Sequence, residues 1–163
     1  MMVQSRNKDP RHISSARLVA VQALYEVEIT ETKCDSILLD FSEKRWLKPS
    51  VYQNEGGNPV DLAAPDKKKF NKIINGVRKN IHDIDKMLSS ALKKEREIHN
   101  LDIVLRSILR AGIFELFFQR DVPVRVIIDE YVELTRAFYS EKEPYFVNGV
   151  MDNVAKLVRV QEL

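Results

Sequence analysis

Three histidines, one cysteine and closely spaced carboxylates such as Asp83/Asp85 and Glu95/Glu97 are the side chains of this 163-residue sequence that could do chemistry, so their spacing decides whether a reaction centre is present. His12, His82 and His99 stand far apart, and none forms the i, i+4 pair that aims two imidazoles at one metal. Cys34 has no second thiol for a disulfide or thiolate zinc site and no adjacent His or Lys run to activate it, so it reads as a small hydrophobe in a reducing cytoplasm. Asp83 and Asp85, like Glu95 and Glu97, are two residues apart, and on a helix such side chains diverge. GxGxxG, GxxxxGK[ST] and GxSxG motifs are absent, which removes the usual phosphate-cradling loops and nucleophile elbow. The inventory points to a binding protein without cofactor or metal rather than to an enzyme.

Charge indicates what could be bound. The formal net charge is only +2, yet it is unevenly spread. Residues 1–20 carry Arg6, Lys8, Arg11 and Arg17 against Asp9 alone, and residues 66–100 carry ten Lys or Arg against five acids, opening with Lys67, Lys68 and Lys69. Residues 121–153 reverse the sign, with three bases and seven acids. Such polarity can meet a phosphate backbone on one side and a basic protein on the other, or it can simply be solvated helix faces.

The elements that position these groups follow from hydrophobic spacing. Ala16, Val19, Ala20, Ala23, Leu24 and Val27 obey the three-four rule, which predicts a helix with Ser14 or Ser15 as N-cap. Asp35 is placed to cap a second helix through Ile37, Leu38, Phe41 and Trp46. Residues 47–65 hold three prolines, two glycines and no period, the composition of a long loop. Phe70 to Leu92 read as one long or kinked helix, with Asp83 able to restart it, and Leu101 to Phe118 as a helix apolar on nearly every side, hence central. Beyond Asp121-Val122-Pro123, where Pro suits a first turn and Asp can cap, a helix carries Val124, Ile127, Ile128, Tyr131, Leu134, Thr135 and Phe138 on one side. A last one carries Val147, Val150, Met151, Val154, Leu157 and Val158. No alternating strand pattern is visible, and no apolar run nears the ~20 residues of a membrane span. The expectation is an all-α, compact bundle of about six or seven helices: a basic tail at 1–13, then one domain over 14–163.

Two constellations fit binding. Arg17, Val21 and Tyr25 share a strip at i, i+4 and i+8 that points away from the centre of the apolar stripe of their helix, so it should face a partner. A snorkelling Arg and a half-buried Tyr packed on the next helix would give the same spacing. Tyr145 and Phe146 open the last helix, where an exposed ring could stack on a base, although Phe146 could equally close the end of the bundle.

The run Ala16-Arg17-Leu18-Val19-Ala20-Val21-Gln22-Ala23-Leu24-Tyr25 carries a likeness, together with Leu109-Arg110-Ala111-Gly112-Ile113-Phe114-Glu115-Leu116. Asp121-Val122-Pro123 with Ile128-Asp129-Glu130-Tyr131-Val132-Glu133-Leu134, and Phe146-Val147-Asn148-Gly149-Val150-Met151-Asp152, continue it in the same order. Over residues 14–159 the chain resembles the NusB family of transcription antitermination factors. The resemblance implies a monomeric or dimeric helical adaptor, cytoplasmic and not an enzyme. It would pair with NusE, a small-subunit ribosomal protein, hold boxA-type RNA of ribosomal RNA leaders, and reach RNA polymerase and other Nus factors indirectly to suppress premature termination. Carried over by motif, Arg17 and the tail residues Arg6, Lys8 and Arg11 would contact RNA, Phe146 would stack on a base, and Val21 and Tyr25 would face NusE. The alternative is a helical dimerisation module, or an accessory module of an RNA-modifying enzyme, since a similar domain precedes the catalytic part of a ribosomal RNA cytosine methyltransferase. The chain departs from the family at Ile13-Ser14-Ser15, where arginines are usual, at Leu105, where an acid is common, at Lys142 and Tyr145, and in the 47–65 segment, which reads as an insertion. Asn148 and Gly149 also have structural explanations, a backbone hydrogen bond and a close helix approach.

Overall fold

The computed structural model describes residues 10–41, 63–94 and 96–162, together with the backbone of 51–53 and 59–61. Helix α1 (Pro10–Thr30) includes four residues assigned above to the tail. Pro10 suits a helix start because its missing N–H would have no partner in the first turn. Ser14 and Ser15 are therefore not caps: the Ser14 hydroxyl donates to Glu130 at 2.6 Å and Ser15 is buried. Glu31 ends the helix in the left-handed region, at φ 51°. In α2 (Cys34–Asp40) the N-cap residue is Lys33, and Asp35, in the first turn, pairs with Arg78 instead of capping. Trp46 lies outside the described residues.

Within the expected loop, β1 (Val51–Gln53) and β2 (Pro59–Asp61) pair antiparallel, with Tyr52 opposite Val60. Three residues are too few for alternation to be read from a sequence. The rest of 47–62 lies outside the described residues.

Helix α3 (Lys67–Lys79) starts where the Asp66 carboxylate accepts from the Lys69 N–H at 2.7 Å. It stops at Asn80, whose side-chain amide donates to the Gly76 carbonyl at 2.8 Å, and α4 (Ile81–Ala91) follows at once. The break thus falls three residues before Asp83, which sits in the first turn of α4, where negative charge suits the helix dipole. Asp102 caps α5 (Ile103–Phe118) by accepting from the Val104 N–H at 3.0 Å. At α6 (Val124–Arg136) Pro123 occupies the N-cap and no side chain caps the helix; Glu162 accepts from the Val124 N–H, so Asp121 does not play the role its position suggested. The last helix is α7 (Lys142–Val158).

Helix α5 is central: α1, α3, α4, α6 and α7 all pack on it, and from Leu105 to Leu116 every residue except Arg110 is buried. Its end is held by Arg159, just beyond α7, whose guanidinium donates to the carbonyls of Leu116, Gln119 and Val122 at 2.6 Å each. A helix end buried without such donors would leave its last carbonyls unsatisfied. Among the described glycines, close approach falls at Gly76, against the Phe114 ring, and at Gly112, rather than at Gly149 as expected. A Cβ on Gly112 would stand 2.7 Å from Met151 Cε, whereas one on Gly149 would meet nothing within 4 Å. Gly112, not Gly149, lets α5 and α7 meet. Among the described residues no helix is long and apolar enough to cross a membrane.

Candidate nucleic-acid and partner surfaces

The strip on α1 does not face outward. Arg17 is 4% and Val21 0% exposed, because the buried face of α1 is turned toward them and leaves Val19, Leu24 and Val27 half-buried. Arg17 reaches across to Glu115 of α5, donating through Nε at 2.8 Å and Nη2 at 3.0 Å, and to Glu130 of α6 through Nη1 at 3.2 Å. The same Glu115 carboxylate accepts from the Tyr131 hydroxyl at 2.6 Å and from the Lys69 ammonium. One buried carboxylate therefore joins α1, α3, α5 and α6. Burial alone would push the Glu115 carboxyl up, but hydrogen bonds and charge from Arg17, then from Lys69, hold it below the usual carboxylate range. Burial pushes the Tyr131 hydroxyl well up, and the facing Glu115 adds to this, so the phenol stays a neutral donor. A guanidinium so occupied offers nothing to a phosphate. The expectation that Arg17 and Val21 form an exposed contact surface is corrected: Arg17 is a structural ion-pair residue and Val21 a core residue. Tyr25, on the same line, is half-buried, and Ile29 one turn further is 49% exposed.

Phe146 lies differently. Its ring is half-buried against the core, and the Arg96 guanidinium stands over it with Cζ 4.6 Å from the ring centroid. Tyr145 beside it is 79% exposed. The two partners come from segments fifty residues apart, brought together where α4 and α7 pack on one another, with the Asn153 amide of α7 donating to the Ala91 carbonyl at the end of α4. After Leu92 closes α4, the chain presents Lys93, Lys94 and Arg96 to solvent, and the Arg96 N–H donates to the Lys93 carbonyl at 2.9 Å. An aromatic ring with a solvent-exposed guanidinium over it is the pairing of groups that can stack on a base and meet its phosphate once the guanidinium swings aside. Arg96 was missed by sequence reasoning because the surrounding acids make Glu95-Arg96-Glu97 look like ordinary surface charge. The signal available was Lys93-Lys94-x-Arg96 directly after a helix end.

Of the basic segment before α1, Arg6 and Lys8 lie outside the described residues, and Arg11 is exposed in the first turn of α1. Asn148 donates to Asp152 at 3.3 Å, a side-chain bond within α7 rather than the backbone bond expected. Leu105 is buried, as the core pattern required, and its neighbour Arg106 pairs with Glu28 of α1. Glu28 also accepts from Arg110, which holds Asp85 of α4 with two 2.8 Å bonds. Among the described residues no cluster of His, Cys, Asp and Glu could hold a metal.

The NusB family model matches residues 14–156. The chain belongs to the NusB family. A transcription antitermination protein NusB of Sinorhizobium fredii is 40% identical over 152 residues, covering 93% of this chain and 91% of that protein. The Rhizobium meliloti protein of the same name is 40% identical over 145 residues, covering 89% and 86%. Among solved structures, T. maritima NusB superposes with a TM-score of 0.71 at 28% identity, over 95% of this chain and 97% of that one. A structure of antitermination factors NusB and NusE in complex with dsRNA superposes with a TM-score of 0.70 at 23% identity, over 90% and 98%, and at that identity it speaks for the fold. The bundle around α5 is thus a NusB fold, and the four sequence motifs lie on α1, α5, α6 with the turn before it, and α7.

Proposed function

We propose that this NusB-family chain is a non-catalytic cytoplasmic antitermination adaptor that binds boxA-type RNA and pairs with NusE, reaching RNA polymerase and other Nus factors only indirectly. The observation that carries this reading is the half-buried Phe146 ring under the Arg96 guanidinium, with Tyr145 exposed beside it in the chain. A base stacked on such a ring contributes about 1–3 kcal/mol, and the cations add a sequence-blind attraction to phosphates. The basic segment Arg6, Lys8 and Arg11 before the core of α1 supplies further phosphate contacts. Tyr25 and Ile29 present the α1 surface to NusE, in place of Val21. Support comes from the family membership and from the related NusB solved together with NusE and RNA.

Fluorescence anisotropy with boxA-type and scrambled RNA, with and without NusE, tests this. The expected result is tighter binding of boxA-type RNA, strengthened by NusE. Equal, weak affinity for both RNAs in the presence of NusE overturns it. Calorimetry of Tyr25→Ala with NusE tests the partner surface, where undiminished pairing removes Tyr25 from the interface.

A further inference from the structure

The lysine-rich opening of α3 is not used by Phe146 and its surroundings. In thirteen residues α3 carries six Lys or Arg and no Asp or Glu, while Phe70, Ile73, Ile74 and Val77 fix its other face in the core. Some of this charge is spent internally: Lys69 on Glu115 and Arg78 on Asp35. Lys68, Lys72 and Lys79 are exposed, and among the described residues no carboxylate pairs with them. They stand at i, i+4 and i+11, so they fall on one line along the helix, about 16 Å long at 1.5 Å per residue, with exposed Asn75 between the last two. On α6, by contrast, exposed charges cancel within the helix, Arg125 with Asp129 at 3.8 Å and Arg136 with Glu133 at 3.3 Å.

The start of this line adjoins the start of α1. The Asp66 N–H donates to the His12 carbonyl at 3.0 Å, and Lys68 and Lys72 border a cleft of about 430 Å³ that Pro10, Ser14 and Arg17 also line, with the carboxylates of Asp66, Asp121 and Glu130 on its α3 and α6 sides but not within ion-pair distance of either lysine. The basic segment that precedes α1 therefore joins the helical core beside the lysine line. We propose that the Lys68–Lys72–Lys79 face of α3 is a second RNA contact, tracking the phosphate backbone of the strand without reading its bases. It rests on the RNA-binding reading above and adds to the stacking site a separate surface for phosphates. Uncancelled charge spaced along a rigid helix suits a polyanion of repeating charge, and the lysine ammonium suits phosphate as a point charge without sequence preference.

The test uses the full chain with Lys68→Gln, Lys72→Gln and Lys79→Gln combined. A control combines Lys33→Gln, Lys86→Gln and Lys156→Gln, three exposed lysines on other elements. Both are titrated by anisotropy, over a salt series, against a short boxA-type oligonucleotide and the same oligonucleotide extended at both ends by unstructured RNA. For the extended RNA, the α3 variant is expected to bind about tenfold or more weakly, with the log–log salt slope about 2 smaller, since each single-strand phosphate contact contributes about 0.7. The short RNA and the control variant should show little change. If the α3 variant and the control behave alike on the extended RNA while Phe146→Ala still weakens the short one, the α3 surface is overturned and the RNA-binding reading survives. If the unmodified chain binds neither RNA, both fall.

Discussion

Arg17 and Phe146 stand in the two motifs from which RNA contacts were expected, yet the fold treats them oppositely. Arg17 is sealed under α1 with its charge divided between Glu115 and Glu130, whereas Phe146 stays half-exposed with a cation resting on its face. The difference lies in what each group needs once buried. A guanidinium inside a bundle is tolerated only with carboxylates within bonding distance, and α5 and α6 supply them. A phenyl ring has no such requirement, so it can lie at the margin of the core with one side on its neighbours and the other under Arg96, an exposed side chain that an incoming base would displace.

The sharpest way to break this contrast is to remove the buried cation. Arg17→Ala is expected to cost about 3–5 kcal/mol in chemical denaturation, because Glu115 is left buried with one cation fewer. A loss under 1 kcal/mol would mean that Arg17 is not structural after all. The same network fixes the acid limb of stability. Glu115 titrates lower when folded than when unfolded, so its contribution is complete above about pH 4.5 and is lost as pH falls through its folded value. Thermal melts across this range should show that loss in the native protein and a weaker one in Glu115→Gln.

Phe146→Ala sharpens the other half of the comparison. It should weaken RNA binding by about 1–3 kcal/mol with little change in salt slope, as expected of stacking. If Phe146→Ala unfolds the protein, the ring belongs to the core like Arg17. Arg96→Gln should act more weakly, by about 0.5–1 kcal/mol, while lowering the slope. The smallest effect separates two glycines. Gly149→Ala, in the Phe146 motif, should stabilise by about 0.5–1 kcal/mol because helix interiors favour Ala and space is open there. Gly76→Ala should destabilise, since the rigid Phe114 ring occupies the place its Cβ would take.

Periodicity foretold α5, α6 and α7 because their neighbours bury long apolar stripes, and Ile127, Ile128, Tyr131, Val150 and Val154 are buried as expected; Phe138, beyond the end of α6, and Leu157, in the last turn of α7, were expected on the same stripes and are exposed, because no neighbour covers the ends of those helices. Helix ends were less legible. Asn80 rather than Asp83 divides α3 from α4, and Asp121 caps nothing, because a cap depends on geometry that many polar residues could supply. The candidate site was half legible: Phe146 stood out in its motif, while Arg96 was camouflaged by its acidic neighbours.

The order of residues settled the all-helical class, the central place of α5 and the kinship with the NusB family, because these depend on spacings within single elements and on motifs contiguous in the chain. It could not settle which way α1 is turned. Ala16, Ala20 and Ala23 are small enough to face the core from several angles, and the choice is made by Glu115, ninety-eight residues from Arg17 in the chain, whose buried carboxylate demands a cation. The same holds for Arg96 over Phe146. A charged side chain becomes a structural strut or an open contact according to the partner that packing brings within reach, and that partner is decided only when the helices close around one another.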